Sequence, residues 1–470
     1  MSHHHISRRH FIKKSSCAAI ASTTLLSTLT NLKFMNAATM ANSTVVGGND
    51  YKALVCILMS GGNDSFNMLI PRESNQYNVY QQTRTEVAIP RDEILSLNGS
   101  DLGLHPSMSG VQQLYNNNQL SFISNIGTLI SPISKPEALD NESLLPLGLF
   151  SHSDQIQQWQ TSVPHDRSSI GWGGRIADMM SSLNDNPNIN LNISLSGTNV
   201  FQTGNSSVEY SLDPVNGAVG ILGYNEDNPN DYLRLRNESL KNMIDAQYDD
   251  IYQKTFIDVI KNSTEASSII SEGLAEAPFL DDLFSDTDFS RALQMVARTI
   301  SARDKFGAKR QIFFVDISGW DNHDELLDTQ AGLLQELSDG LKEFSDALTR
   351  INADDCVTTF TCSEFGRTLT YNGEGTDHAW GGNVMVMGGP VSGGRIFGEY
   401  PLLELGGDFD LSNSAGFSNG VMIPSTSVDE YFAELALWFG VSAGDLSTIF
   451  PNIGNFYNTS SGTNPIGFIG

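Results

Sequence analysis

Cysteine is scarce, four in 470 residues, and no CxxC or CxxH spacing occurs. That excludes a disulfide scaffold and a thiolate-held zinc site. Cys56 and Cys362 each sit in an apolar run and read as packing residues. Basic residues are also few, 27 against 54 acidic. A surface this acidic repels nucleic acid, because phosphate binding needs lysine and arginine. Past the N-terminus no segment approaches the roughly 20 apolar residues of a spanning helix. Internal repeats and low-complexity blocks are absent too.

What is present begins with Ser7-Arg8-Arg9-His10-Phe11-Ile12-Lys13, followed by a moderately apolar stretch without acidic residues. The pattern is that of a bacterial twin-arginine export signal over residues 1–41, with cleavage expected near Ala38 or Ala41. Removing its five basic residues (Arg8, Arg9, Lys13, Lys14 and Lys33) leaves 22 basic against 54 acidic, a net charge of −32. The expectation is a protein exported after folding, to the periplasm or outside the cell.

Lys52 to Met59 (KALVCILM) is an almost unbroken apolar run, as expected of a strand covered on both faces. Further strands are expected at Leu120–Ile126, within Ile189–Phe201, and at Gln311–Ile317, Val357–Cys362 and Asn383–Met387. Helices are expected at Met108–Asn117, Gln155–Gln160, Ile170–Ser182, Asp231–Ser271, Ser290–Ala302, Glu325–Arg350 and Val428–Phe439. The alternation predicts an α/β fold, a mostly parallel central sheet with helices on both faces, over 50–470. A peripheral, mainly helical subregion is expected at about 203–285.

In such sheets functional loops lie beyond the carboxyl ends of the strands. Three strands are followed by Ser60-Gly61-Gly62-Asn63-Asp64-Ser65, by Ser318-Gly319-Trp320-Asp321-Asn322-His323-Asp324 and by Ser363-Glu364-Phe365-Gly366-Arg367-Thr368. Gly375-Thr376-Asp377-His378 comes shortly after. Carboxylates and imidazoles gathered at one sheet end repel one another without a cation. The predicted metal ligands are therefore Asp64, Asp321, His323, Glu364, Asp377 and His378, for a divalent ion such as Zn, Mn, Mg or Ca. Each has a plainer reading: Asp64 as a turn residue, Asp321 as a helix cap, Glu364 as an ion-pair partner of Arg367, the histidines as surface residues. Only five histidines follow the signal, and two of them fall in these loops beside aspartate.

These stretches resemble the twin-arginine-exported bacterial domain-of-unknown-function family 1501. The matching segments are ILMSGGNDSFNMLIP (57–71), LHPSM (from Leu104), SHSDQIQQW (151–159) and GWDNHD (319–324). They continue with SEFGRT (363–368), GTDHAWGGNVMVMGGPVSGGRIFGEYP (375–401) and the WFGV and IFPNIGNF of 430–457. That family looks like a divergent branch of the alkaline phosphatase and sulfatase superfamily. The resemblance implies an alkaline-phosphatase-like fold and a metal-dependent hydrolase of phosphate or sulfate esters, whose substrate is a small-molecule or glycan ester. It places the first-strand aspartate at Asp64 and the nucleophile around Ser151-His152-Ser153. The metal aspartate falls at Asp321, with His323 or Glu325 in place of a histidine four residues on, and the last histidine at His378. Phe365 stands where the superfamily has a ligand. The implied catalytic residues are Ser151, His152, Ser153 and Arg367. Ser151 and Ser153 read equally as helix caps, and Arg367 as an anion clamp or as the partner of Glu364. The competing reading is a non-catalytic extracellular binding or assembly protein with at most one metal and a protein partner at the cell surface. The run Gly388-Gly389-Pro390 is no nucleotide loop, lacking the Lys-Ser/Thr of a P-loop.

Overall fold

Alternation along one strand sorts the core into two layers. In the computed structural model, which describes residues 50–186, 191–218, 231–411 and 420–470, Ala53, Val55, Ile57 and Met59 point into one apolar cluster and Leu54, Cys56 and Leu58 into another. A strand with both faces covered has no polar face to show, which is why KALVCILM is continuous. The first cluster is closed by the helices Ser109–Asn116, Asp288–Ser301 and Leu326–Arg350, the second by Trp172–Met180 and Val428–Phe439. Val428–Phe439 opens on a capping box, Ser427 with Glu430, and ends at Gly440 in the left-handed conformation.

The main sheet has nine strands: β1 Lys52–Ser60, β2 Leu120–Gly127, β3 Asn192–Ser194, β4 Tyr210–Ser211, β5 Arg310–Ser318, β6 Val357–Cys362, β7 Gly382–Gly388, β8 Ile396–Phe397 and β9 Thr426–Ser427. Their order is β8-β2-β7-β6-β1-β5-β3-β4, with β9 pairing β2. Every pairing is parallel except those of β7, which runs antiparallel to both β2 and β6. The fold is α/β with a mostly parallel sheet, and β1 lies between β5 and β6. Ser60 is level with Ser318, and Leu58 with Cys362. The three ligand-bearing loops therefore leave the sheet side by side.

The helical stretch expected as one piece is two helices, Asp231–Asp245 and Ile251–Glu276. The second is divided along its length. Ala266, Ile270 and Leu274 are buried in the core, whereas Ile251, Tyr252 and Phe256 are exposed. Among the described residues of the expected strand region 189–201 only Asn192–Ser194 is a strand. Residues 1–41, on which the export signal was read, lie outside the described residues, as do 187–190, 219–230 and 412–419. Among the described residues no helix is long and apolar enough to cross a membrane.

Candidate metal centre

Arg367 joins the loops. It is fully buried, and its guanidinium donates from Nε to the Gly62 carbonyl at 2.7 Å, from one terminal nitrogen to Thr376 O at 2.6 Å, and from the other to Gly61 O at 2.7 Å and to the Asp321 carboxylate. The loop after β1, the loop after β5 and the segment before β7 thus hang on one side chain. Gly61 and Gly62 have positive φ, +124° and +85°, which turns both carbonyls toward Arg367 at little steric cost. Glu364, at the end of β6, accepts from Gly61 N at 2.7 Å.

Three imidazoles surround Asp321. His323 Nε2 and His378 Nε2 lie 3.1 and 3.3 Å from its Oδ1, and His152 Nε2 lies 3.5 Å from its Oδ2. The opposite nitrogen of each ring faces an acceptor. His152 Nδ1 is 2.9 Å from Glu364, His323 Nδ1 is 3.2 Å from Asp377, and His378 Nδ1 is 2.8 Å from the Phe150 carbonyl. A carbonyl or carboxylate can only accept, so each Nδ1 is placed to donate a proton. A ring that keeps only that proton turns an Nε2 lone pair toward Asp321, which cannot donate to it, and the contact is favourable only with a second proton or a cation between them. His323 Nε2 and His378 Nε2 are only 2.9 Å apart. Two lone pairs at that distance repel unless a proton or a cation sits against them.

Burial, with the nearby His152 and Arg367, holds the His378 imidazole below its ordinary pKa, against the Phe150 carbonyl and Asp321. Burial pushes the Asp321 carboxyl up, but the hydrogen bond and charge of Arg367, with His323 and His152, outweigh it and hold the carboxyl below its usual range. An ionised carboxylate and neutral imidazoles are the protonation states that ligate metals. One ligand atom from each of His152, Asp321 and His378 lies within 4.8 Å of the others. Inward lone pairs, with outward nitrogens bound to a carboxylate or carbonyl, form the outer hydrogen bonding found around metal-bound histidines. The residues fit a divalent ion.

Of the expected ligands, Asp321, His323 and His378 come together directly. Glu364 and Asp377 contribute from one bond further out, by orienting His152 and His323. Asp64 is corrected: it is a buried ion-pair partner of Arg84, both side chains being fully buried. Arg84, unremarked in the sequence, brings the counter-charge expected of a metal. Arg367 is corrected as well. It neither faces the open site as an anion clamp nor pairs with Glu364; it is spent on three carbonyls and Asp321. His323 fills the position left open between it and Glu325, which stands at φ +46° before the helix Leu326–Arg350.

His152, expected as a catalytic neighbour, joins the ligand set. It is the first residue of the helix His152–Thr161, and its aspartate and glutamate partners come from loops 169 and 212 residues away, so spacing carried no sign of it. Ser151 and Ser153 flank it, their Oγ atoms 3.2 Å apart. Phe365 packs under the rings, 4.9 Å from the centroid of His152 and 4.6 Å from that of His378. Its seat depends on Gly62, where an added Cβ would lie 2.3 Å from the Phe365 ring.

No curated protein matches the chain significantly. Among solved structures it is similar to Ps i-CgsB in complex with k-i-k-neocarrahexaose, with 12% identity over 83% of this chain and 72% of that one and a TM-score of 0.32. It is also similar to the lipoteichoic acid synthase LtaP from Listeria monocytogenes, with 8% identity over 72% and 62% and a TM-score of 0.27. A mutant of the alkaline phosphatase PafA matches with 10% identity over 69% and 64%, again at a TM-score of 0.27. Likenesses this distant decide neither reaction nor ligand. The family model described as "Protein of unknown function (DUF1501)" covers residues 51–414, the span that contains every residue of the cluster, and the chain belongs to that family.

Proposed function

We propose that His152, Asp321, His323 and His378 hold one divalent transition-metal ion and that the chain is an exported hydrolase of phosphate or sulfate esters. The convergence of three Nε2 atoms on one carboxylate, with the opposite nitrogen of each ring held by an acceptor, carries this reading. A set of three imidazoles and one carboxylate suits zinc or a neighbouring first-row ion better than magnesium or calcium, which prefer all-oxygen shells. When bound, such an ion supplies Lewis acidity toward an ester oxygen. The chain's own groups do the rest. Arg367 keeps Asp321 ionised and aimed, Glu364 and Asp377 fix the ring tautomers, and Phe365 closes the inner side against water. Ser151 or Ser153, at the positive start of the helix His152–Thr161, supplies the attacking hydroxyl.

A non-catalytic binding role is the second reading. Phe365 in a ligand position and the neutralisation of Asp64 by Arg84 leave room for one ion, not two. Metal analysis of protein purified without added metal, with a panel of phosphate and sulfate esters, separates the two. Hydrolysis that disappears together with metal in Asp321→Ala supports the hydrolase. Metal binding without turnover of any ester supports the binding protein, and a wild type with neither metal nor turnover refutes the hydrolase and leaves the binding protein standing.

A further inference from the structure

Beside the cluster lies a groove of about 630 Å³, within the range of small-molecule sites. Its wall is the loop before the helix His152–Thr161, and Ile130, Leu145, Leu147, Leu149 and Phe150 line it. The loop is fastened at several points. Leu147 N donates to Pro164 O at 2.8 Å, Gln158 Nε2 donates to Leu147 O at 2.6 Å, and Ser151 N donates to Gly148 O at 2.9 Å. Phe150 belongs to both places: its residue lines the groove, and its carbonyl receives the His378 Nδ1 proton at 2.8 Å. The groove and the cluster are thus one residue apart, with Phe150 shared between them.

The lining also states what the occupant is not. No lysine or arginine is among it; its one imidazole, His165, lies 3.3 Å from the Asn452 amide through Nδ1, and Glu142 contributes a carboxylate. On a protein with a net charge of −27, a second anionic group there would be unpaired and repelled.

We propose that this groove binds the neutral, apolar organic group of the substrate, an aryl or similarly flat hydrophobic moiety, so that the ester carries its charge on a single phosphate or sulfate group and is not a polyanionic chain. This rests on the hydrolase reading for its catalytic consequence but not for its binding consequence. The test uses the full chain, 2-naphthol as a binding probe in calorimetry, and naphthyl against methyl phosphate and sulfate as substrates. Wild type should bind 2-naphthol, and Leu147→Asp should weaken that binding roughly tenfold by placing a charge against the ring. The kcat/KM for naphthyl esters should exceed that for methyl esters by roughly tenfold or more in wild type, and the advantage should vanish in Leu147→Asp. Glu142→Lys, whose side chain is on the rim, should admit 2-naphthalenesulfonate, which wild type rejects. Naphthol binding without hydrolysis sinks the hydrolase and sustains the groove. Hydrolysis with equal naphthyl and methyl rates, or naphthol binding that is absent or indifferent to both substitutions, overturns the groove.

Discussion

Removing the Arg84 guanidinium with Arg84→Met leaves the Asp64 carboxylate buried without a counter-charge, with only the Thr376 hydroxyl donating to its Oδ2 at 3.3 Å. Both side chains are fully buried, and Asp64 Oδ1 has no hydrogen-bond partner among the described residues, so all compensation reaches the carboxylate through Oδ2. Arg84 also donates to Asn67 Oδ1 at 3.2 Å, Thr368 O at 2.9 Å and Leu369 O at 3.2 Å, acceptors that the thioether cannot serve. Breaking a buried pair of this kind costs about 3–5 kcal/mol. A 470-residue chain unfolds with an entropy of about 1 kcal/mol/K at the usual value per residue. The melting temperature should therefore fall by ~3–5 °C in Arg84→Met. The double variant Asp64→Leu/Arg84→Met removes both charges and should recover most of that loss. Differential scanning calorimetry gives the stabilities, and elemental analysis gives metal per chain, which should stay at the wild-type value in Asp64→Asn. If Asp64→Asn loses metal while keeping its melting temperature, the carboxylate is a ligand and the assignment to Arg84 is wrong.

Other outcomes follow from single residues. Burial lifts the Asp429 carboxyl to about 7, against hydrogen bonds from Ser162 and Ser427 and the charge of Arg175. Its contribution to stability is present in full below the unfolded value near 4 and declines as pH rises to about 7. Melts of wild type and Asp429→Asn should thus diverge in the variant's favour between pH 4 and 7, and parallel curves would refute the shift. Gly62→Ala places a Cβ 2.3 Å from the Phe365 ring at φ +85°; it should cost about 1–3 kcal/mol and lower metal affinity by displacing that ring from His152 and His378, which titration calorimetry would detect. Phe365→His should raise metal per chain above wild type if the centre descends from a two-metal site; an unchanged stoichiometry rejects that descent. Changing Arg8 and Arg9 to lysine should hold the precursor in the cytoplasm, as cell fractionation would show.

The sheet was legible because β1, β5 and β6 bury both faces and so write unbroken apolar runs into the chain. The site was legible only as far as strand ends go: Asp321, His323 and His378 lie just beyond β5 or in the segment before β7, where parallel sheets place ligands. Arg84 was not, because a buried arginine on a helix looks like any exposed one until its partner, 20 residues away, is placed. The place of His152 in the cluster was hidden for a similar reason. Its orientation is set by Glu364, a contact spanning 212 residues. The roles of Asp64 and Arg367 were misassigned because both carry the right charge in the right loop, and only burial shows that Arg84 and three carbonyls had already claimed them.

Arg367 donates to three carbonyls and to Asp321, so the loops after β1 and β5 and the segment before β7 share one clasp made of protein atoms. A lysine there would keep the charge beside Asp321 but could not reach three diverging carbonyls with one ammonium. The three loops are therefore tied to a single codon, and a change that looks conservative on paper would loosen all of them at once.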